Sequence, residues 1–87
     1  MPFRIELHRA AEKHLAALSQ DIRERITAAI DKLADEPRPH GCKKLSAYRE
    51  PTWRIRVGRY RVLYRIYQSE LVVLVIDIDK RSDAYRD

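Results

Sequence analysis

The chemistry open to this chain is concentrated in one stretch, Trp53 to Ile66, where Arg54, Arg56, Arg61 and Arg65 recur among apolar residues. A guanidinium group does not lose its proton near neutral pH, and its planar fork matches phosphate. Four such groups on one surface suit the binding of a polyanion and the stabilisation of charge developing on phosphorus, rather than proton transfer. Tyr48, Tyr67 and Tyr85 offer aromatic faces on which unstacked bases could lie. Tyrosines at the edge of a small core are also ordinary amphipathic packing, and for Tyr48 and Tyr67 the sequence leaves both readings open. Other chemistries lack a constellation. His8, His14 and His40 have no partner at metal-ligand spacing, and His40 with Cys42 is a lone pair in a loop. Asp77, Asp79 and Asp83 fall short of the acidic set of a magnesium nuclease, and ion pairs with the arginines are expected instead. No metal and no cofactor is expected.

A sheet must hold these arginines. Trp53, Ile55 and Val57 alternate with Arg54 and Arg56; after Gly58-Arg59, Tyr60, Val62, Tyr64 and Ile66 alternate with Arg61, Leu63 and Arg65. A period of two puts the apolar set on one face and the arginines on the other, and Gly-X is a tight hairpin turn. Like charges set opposite each other on neighbouring strands repel, so such a cluster suggests a use. Leu71 to Ile78 is apolar on both faces, as in a central strand. Upstream, Phe3, Ile5 and Leu7 alternate with polar residues and predict a first strand. Ala11, Leu15 and Leu18 then fall at helical spacing. Ser19 suits an N-cap for a second helix carrying Ile22, Ile26, Ala29, Ile30 and Leu33 and ending at Glu36-Pro37. Pro37 to Lys44 reads as a loop. The expected fold is α+β, in the order β-α-α-β-β-β, with an antiparallel-dominated sheet and a helix hairpin on one face.

Composition limits the classes. The 87 residues, 45% hydrophobic and 36% charged, make one domain over residues 1–87 rather than a disordered chain. The longest apolar run, Leu71 to Ile76, is far shorter than the roughly 20 residues of a membrane span. With no signal-peptide stretch and a single cysteine, Cys42, a soluble cytoplasmic protein is expected. Eighteen Lys and Arg against thirteen Asp and Glu give a net charge of +5. The excess is local: Arg38 to Arg65 contains nine basic residues and one acidic. That distribution points to an anionic partner, against the plainer alternative of a solvated basic surface.

The ordered set W-R-I-R-V-G, R-Y-R-V-L-Y, an apolar last strand and D-K-R-S-D-A-Y, with the helix pair and the K-K-L of Lys43 to Leu45 ahead of it, resembles the RelE family of bacterial and archaeal toxins, within the RelE/ParE superfamily. The resemblance covers nearly the whole chain. It implies a type II toxin that cleaves messenger RNA on the ribosome and inhibits translation. It puts the arginine after the hairpin turn at Arg61, the arginine ending the last strand at Arg81 and the tyrosine behind it at Tyr85 as catalytic residues. Arg54, Arg56 and Arg65, with Lys43 and Lys44, fall to RNA and phosphate binding. Some members carry lysine where Arg54 and Arg56 stand; arginine cannot serve there as a base. Only two residues follow Tyr85, where some members have a further helix, so Tyr85 is expected to be loosely held.

The implied chemistry is metal-independent attack of a ribose 2′-hydroxyl on the adjacent phosphorus. Arginines meet the charge on the phosphorane, and Arg81 acts as an electrostatic clamp on the leaving oxygen. Tyr85 as base would need its pKa lowered from about 10 to about 7, roughly 4 kcal/mol, which neighbouring guanidinium groups can supply. Two alternatives stand beside this: a ParE-like inhibitor of DNA gyrase without catalysis, and a basic RNA- or ribosome-binding module. The implied partners are the ribosome with its messenger RNA and a cognate antitoxin forming a hetero-oligomeric complex; no membrane is involved. The antitoxin's expected dock is the helix pair, where Ala10, Ala11, Ala17, Ala28 and Ala29 would allow close approach, though small residues suit internal packing equally.

Overall fold

The computed structural model describes residues 2–80, which run β1 (Arg4–Leu7), α1 (Arg9–Ala16), α2 (Gln20–Lys32), β2 (Lys43–Leu45), β3 (Thr52–Val57), β4 (Tyr60–Tyr67) and β5 (Val72–Lys80). The strands form one sheet in the order β1-β5-β4-β3-β2. Only β1 and β5 run parallel; the other neighbours are antiparallel.

Both helices cover one face. Ala11 from α1 and Ile26 and Ile30 from α2, with Leu33 just beyond it, are buried against Ile55, Val62, Tyr64, Val73, Val75 and Ile78. Each buried aliphatic side chain is worth about 1.5–3 kcal/mol of transfer free energy, so this face holds the domain together. His8 caps α1, its Nδ1 accepting from the Ala10 amide at 3.1 Å. Ser19 stands at the N-cap of α2 with extended backbone, but its side chain makes no capping bond. Arg23 instead ties the helices together, donating to the Leu18 and Ala16 carbonyls at 3.2 and 3.4 Å. Regular α-helix stops at Lys32, short of the expected Glu36. The next amides bond three residues back, Ala34 to Asp31 and Asp35 to Lys32, tightening the final turn before Pro37.

Two features depart from the sequence reading. A fifth strand, β2, lies where a loop was expected, and its three residues pair with β3 through Lys43↔Arg54, Lys44↔Trp53 and Leu45↔Thr52. The last strand also carries a bulge: Leu63 faces Asp77 while Tyr64 faces Val75, leaving Ile76 as the extra residue. Before the bulge, odd-numbered Val73 and Val75 enter the core; after it, even-numbered Ile78 does. Val72 and Leu74, on the other face opposite Tyr67 and Arg65, are apolar as well, so the strand reads as apolar on both faces, and the bulge sets Asp79 beside Arg61. The hairpin turn follows the Gly-X expectation: Gly58 has φ +61°, and Val57 pairs with Tyr60 across it.

Candidate functional site

The strand register assembles the arginine face in rows. Lys43, Arg54 and Leu63 form one row across β2, β3 and β4, and Arg56, Arg61 and Asp79 form the next across β3, β4 and β5. Arg56 is exposed, whereas Arg61 is only 4% exposed. The Arg61 guanidinium donates through Nε and Nη2 to the two carboxylate oxygens of Asp79, both at 3.0 Å. This bidentate pair offsets the repulsion between Arg56 and Arg61, which sit directly opposite each other. The ion pair expected between the aspartates and the arginine set is thus made by Asp79, and the pairing leaves Arg61 nearly buried. The sequence contained a signal for this, an acidic residue at the end of an apolar strand, but its partner depended on the bulge.

Arg65 lies one row further along. Its Nε donates to Thr52 Oγ1 at 3.2 Å, and Nη1 stands 3.8 Å from Glu50 Oε1. Arg54 reaches the other way and donates to the Gly41 carbonyl at 3.0 Å. On the helix-covered face, Tyr64 donates to the Pro37 carbonyl at 2.6 Å. Burial, with Cys42 beside it, pushes the Tyr64 hydroxyl far above its ordinary pKa, against the opposite pull of Arg38 and Arg54. Between them, Arg54 and Tyr64 fix the loop after α2, which sets β2 and hence Lys43 in place. The lysine pair divides: Lys43 shares the row of Arg54, while Lys44 registers with Trp53 on the opposite face. Arg38 lies over the Trp53 ring, 5.2 Å from its centroid.

The structure separates the other candidates. Tyr48 is exposed at 38% and accessible to a stacking base, whereas Tyr67 is half-buried and its hydroxyl donates to Glu50 at 3.4 Å. Asp77 pairs with His14 at 2.6 Å rather than with an arginine. Arg81 and Tyr85 lie outside the described residues. Among the described residues no three His, Cys, Asp or Glu side chains gather into a metal-binding group, and no helix is long and apolar enough to cross a membrane. The site is thus a cation-rich sheet face on which one guanidinium is held rigidly by a carboxylate, Arg54 and Arg65 are half-buried, and Lys43 and Arg56 are exposed. Such a face can bind a chain of phosphates and offer fixed positive charge to a reacting one.

Known proteins resemble this chain in sequence and fold. Residues 5–85 match the family of ParE toxins of type II toxin–antitoxin systems, parDE. Toxin RelG of Mycobacterium tuberculosis is 34% identical over 83 residues, spanning 95% of this chain and 86% of that protein. RelE1 of Methanocaldococcus jannaschii is 27% identical over 90 residues, covering 100% and 99% of the two chains. The RelE–RelB complex of Pyrococcus horikoshii OT3 superposes with a TM-score of 0.82 at 26% identity, over 95% of this chain and 99% of the matched one. A whole-length family match, relatives bearing the RelE name and the same five-stranded α+β fold converge: the chain belongs to the RelE/ParE superfamily and is a RelE-like toxin of a type II toxin–antitoxin system.

Proposed function

We propose that this toxin is a metal-independent endoribonuclease that cuts messenger RNA on the ribosome, and that a cognate antitoxin holds it in check. The observation that carries this reading is the row Arg56–Arg61–Asp79, flanked by Lys43 and Arg54, on the sheet face away from the helices. Arg54, Arg56, Arg65 and Lys43 bind the phosphates of the message; Lys44, on the opposite face, serves at most a neighbouring contact. Arg61, fixed by Asp79, supplies positive charge where the phosphorane forms.

The reaction is an internal transfer. The ribose 2′-oxygen bonds to the adjacent phosphorus as the bond to the 5′-oxygen breaks, leaving a 2′,3′-cyclic phosphate and a 5′-hydroxyl. Tyr85, as phenolate, takes the 2′-hydroxyl proton, Arg81 stabilises the charge on the departing 5′-oxygen, and water supplies the proton that this oxygen gains. The ribosome supplies the positioning that a small open face lacks. The complex of Pyrococcus horikoshii RelE with RelB supports an antitoxin partner for this chain as well.

The test is expression of wild type, Tyr85→Phe and Arg81→Ala with growth and message integrity followed together. Wild type alone should arrest growth and leave cuts within translated codons by primer extension. Arrest with intact messages and blocked DNA supercoiling would establish gyrase inhibition instead.

A further inference from the structure

The face that carries the arginines continues past the row of Arg54 and Leu63, toward the end of the sheet away from the hairpin turn. Arg65, Leu74 and Glu6 form the next row across β4, β5 and β1, and Tyr67, Val72 and Arg4 form the last. A pocket of about 340 Å³ opens there, lined by Arg4, Glu6, Tyr67, Glu70, Val72 and Leu74. Buried Val72 and half-buried Leu74 give it an apolar floor, and half-buried Tyr67 adds an aromatic wall. Its rim is acidic. Arg4 donates through Nε and Nη2 to one oxygen of Glu6, Oε2, at 2.9 and 2.7 Å, which fixes that carboxylate. Ser69 donates to Glu70 Oε1 at 3.2 Å. Among the described residues, Glu6 Oε1 and Glu70 Oε2 accept no hydrogen bond, so each carboxylate keeps an acceptor for a ligand.

We propose that this pocket holds one nucleobase of the RNA strand and selects a base with an exocyclic amino group over uracil. The inference rests on the arginine face as the seat of the message, and adds a selective contact remote from the reacting phosphate. Three observations carry it. The pocket is continuous with the cationic track: Arg65 stands in the adjoining row, steadied by Thr52, and Tyr67 follows it on the same face of β4. At roughly 3.3 Å per residue, Tyr67 lies about 20 Å along β4 from Arg61, so the base it meets is a few nucleotides from the bond that breaks. The chemistry of the pocket suits a base and not a phosphate. An apolar floor with a tyrosine wall accepts the π-face of a ring, while Glu6 and Glu70 repel an anion. Adenine, cytosine and guanine each carry an amino group that donates to a carboxylate. Uracil carries carbonyl oxygens around a single ring N–H, so its edge meets the two carboxylates with like partial charge.

The experiment uses the full chain and a short, fluorescently labelled oligouridine, beside versions with one adenosine, cytidine or guanosine in the middle. All are 2′-O-methylated, so the 2′-oxygen cannot attack and binding is read without cleavage. Fluorescence anisotropy should show the substituted strands bound about fivefold more tightly than oligouridine. Glu6→Ala combined with Glu70→Ala should erase that preference while oligouridine binds more tightly, because two negative charges leave the track. Tyr67→Leu should weaken the substituted strands by about fivefold or more. Arg56→Gln should weaken every strand alike and keep the preference. Circular dichroism checks folding, and the two glutamates are exposed, so their variants serve even where Tyr67→Leu unfolds. Binding that depends on Arg56 but is blind to the base, or a preference that survives loss of both glutamates, would overturn the pocket and leave the reading of the arginine face standing. Absence of RNA binding, or binding indifferent to Arg56, would overturn both.

Discussion

Replacing Asp79 with alanine removes a bidentate partner from a guanidinium that is almost fully buried. The Arg61 side chain is 5% exposed and donates two 3.0 Å hydrogen bonds to Asp79, while Arg56 stands directly across from it. Stripping the partner from a buried charge costs about 3–5 kcal/mol. Asp79 itself is 32% exposed, so water can enter the vacated place and solvate part of the guanidinium. That discount brings the expected loss to about 2 kcal/mol. In a domain of this size it corresponds to a fall in Tm of about 10 °C, readable by thermal and urea denaturation. Arg61→Met keeps the stem and removes the charge, and completes a double-mutant cycle with a coupling of about 1.5 kcal/mol. The pair would be refuted as a structural clamp if Asp79→Ala fell within about 0.5 kcal/mol of wild type, or if the two substitutions were additive. Arg61→Lys then separates stability from chemistry: it retains charge but not the bidentate fork, so turnover should drop more than phosphate binding.

Tyr64→Phe should cost about 1–2 kcal/mol, because the Pro37 carbonyl loses its 2.6 Å donor in a buried place. With the folded hydroxyl held protonated above its ordinary pKa, only the unfolded chain ionises there first. Stability is therefore complete below about pH 10 and declines as the pH rises beyond it, and this alkaline slope should shrink in Tyr64→Phe. In titrations of RNA binding against salt, Lys43→Ala and Arg56→Gln should each flatten the log–log slope by about one unit; Lys44→Ala, pointing to the other face, should not. Gly58→Ala forces a Cβ into φ +61° and should cost about 1 kcal/mol, although the Cβ itself would meet only the Arg25 guanidinium at 3.8 Å.

The parts of the fold legible in the sequence are those with a long, unbroken period. Trp53 to Ile66 alternates through a Gly-X turn, and the register follows it residue for residue. Ile22, Ile26, Ile30 and Leu33 keep helical spacing and pack where an amphipathic stripe must. What escaped has no period. Lys43 to Leu45 is too short to display one, and it is a strand through its pairing with β3, next to a loop that Arg54 and Tyr64 hold by hydrogen bonds. The bulge at Ile76 hides within a run of apolar residues, where a change of phase leaves no mark in the sequence. For the same reason the burial of Arg61 was not legible. Alternation assigns a side chain to a face, but whether that face meets water there depends on Asp79, eighteen residues away and brought close only by the bulged register. The division of Lys43 from Lys44, by contrast, follows at once from strand geometry once β2 is recognised.

The parallel pairing of β1 with β5 has a consequence for the order in which the molecule is made. Arg4 and Val72 are partners, so the first strand to be synthesised has no place in the sheet until the last has appeared. Closing so long a loop is entropically costly and slow, whereas β3, β4 and β5 join through short connections and zip locally. During synthesis the face carrying Arg54, Arg56 and Arg61 can thus form as β4 pairs with β3, before Asp79 emerges to hold Arg61 and before β1 closes the edge of β5. The nascent toxin passes through a stage in which its cationic face exists without its clamp, and the edge of β5 remains open to another strand until β1 docks.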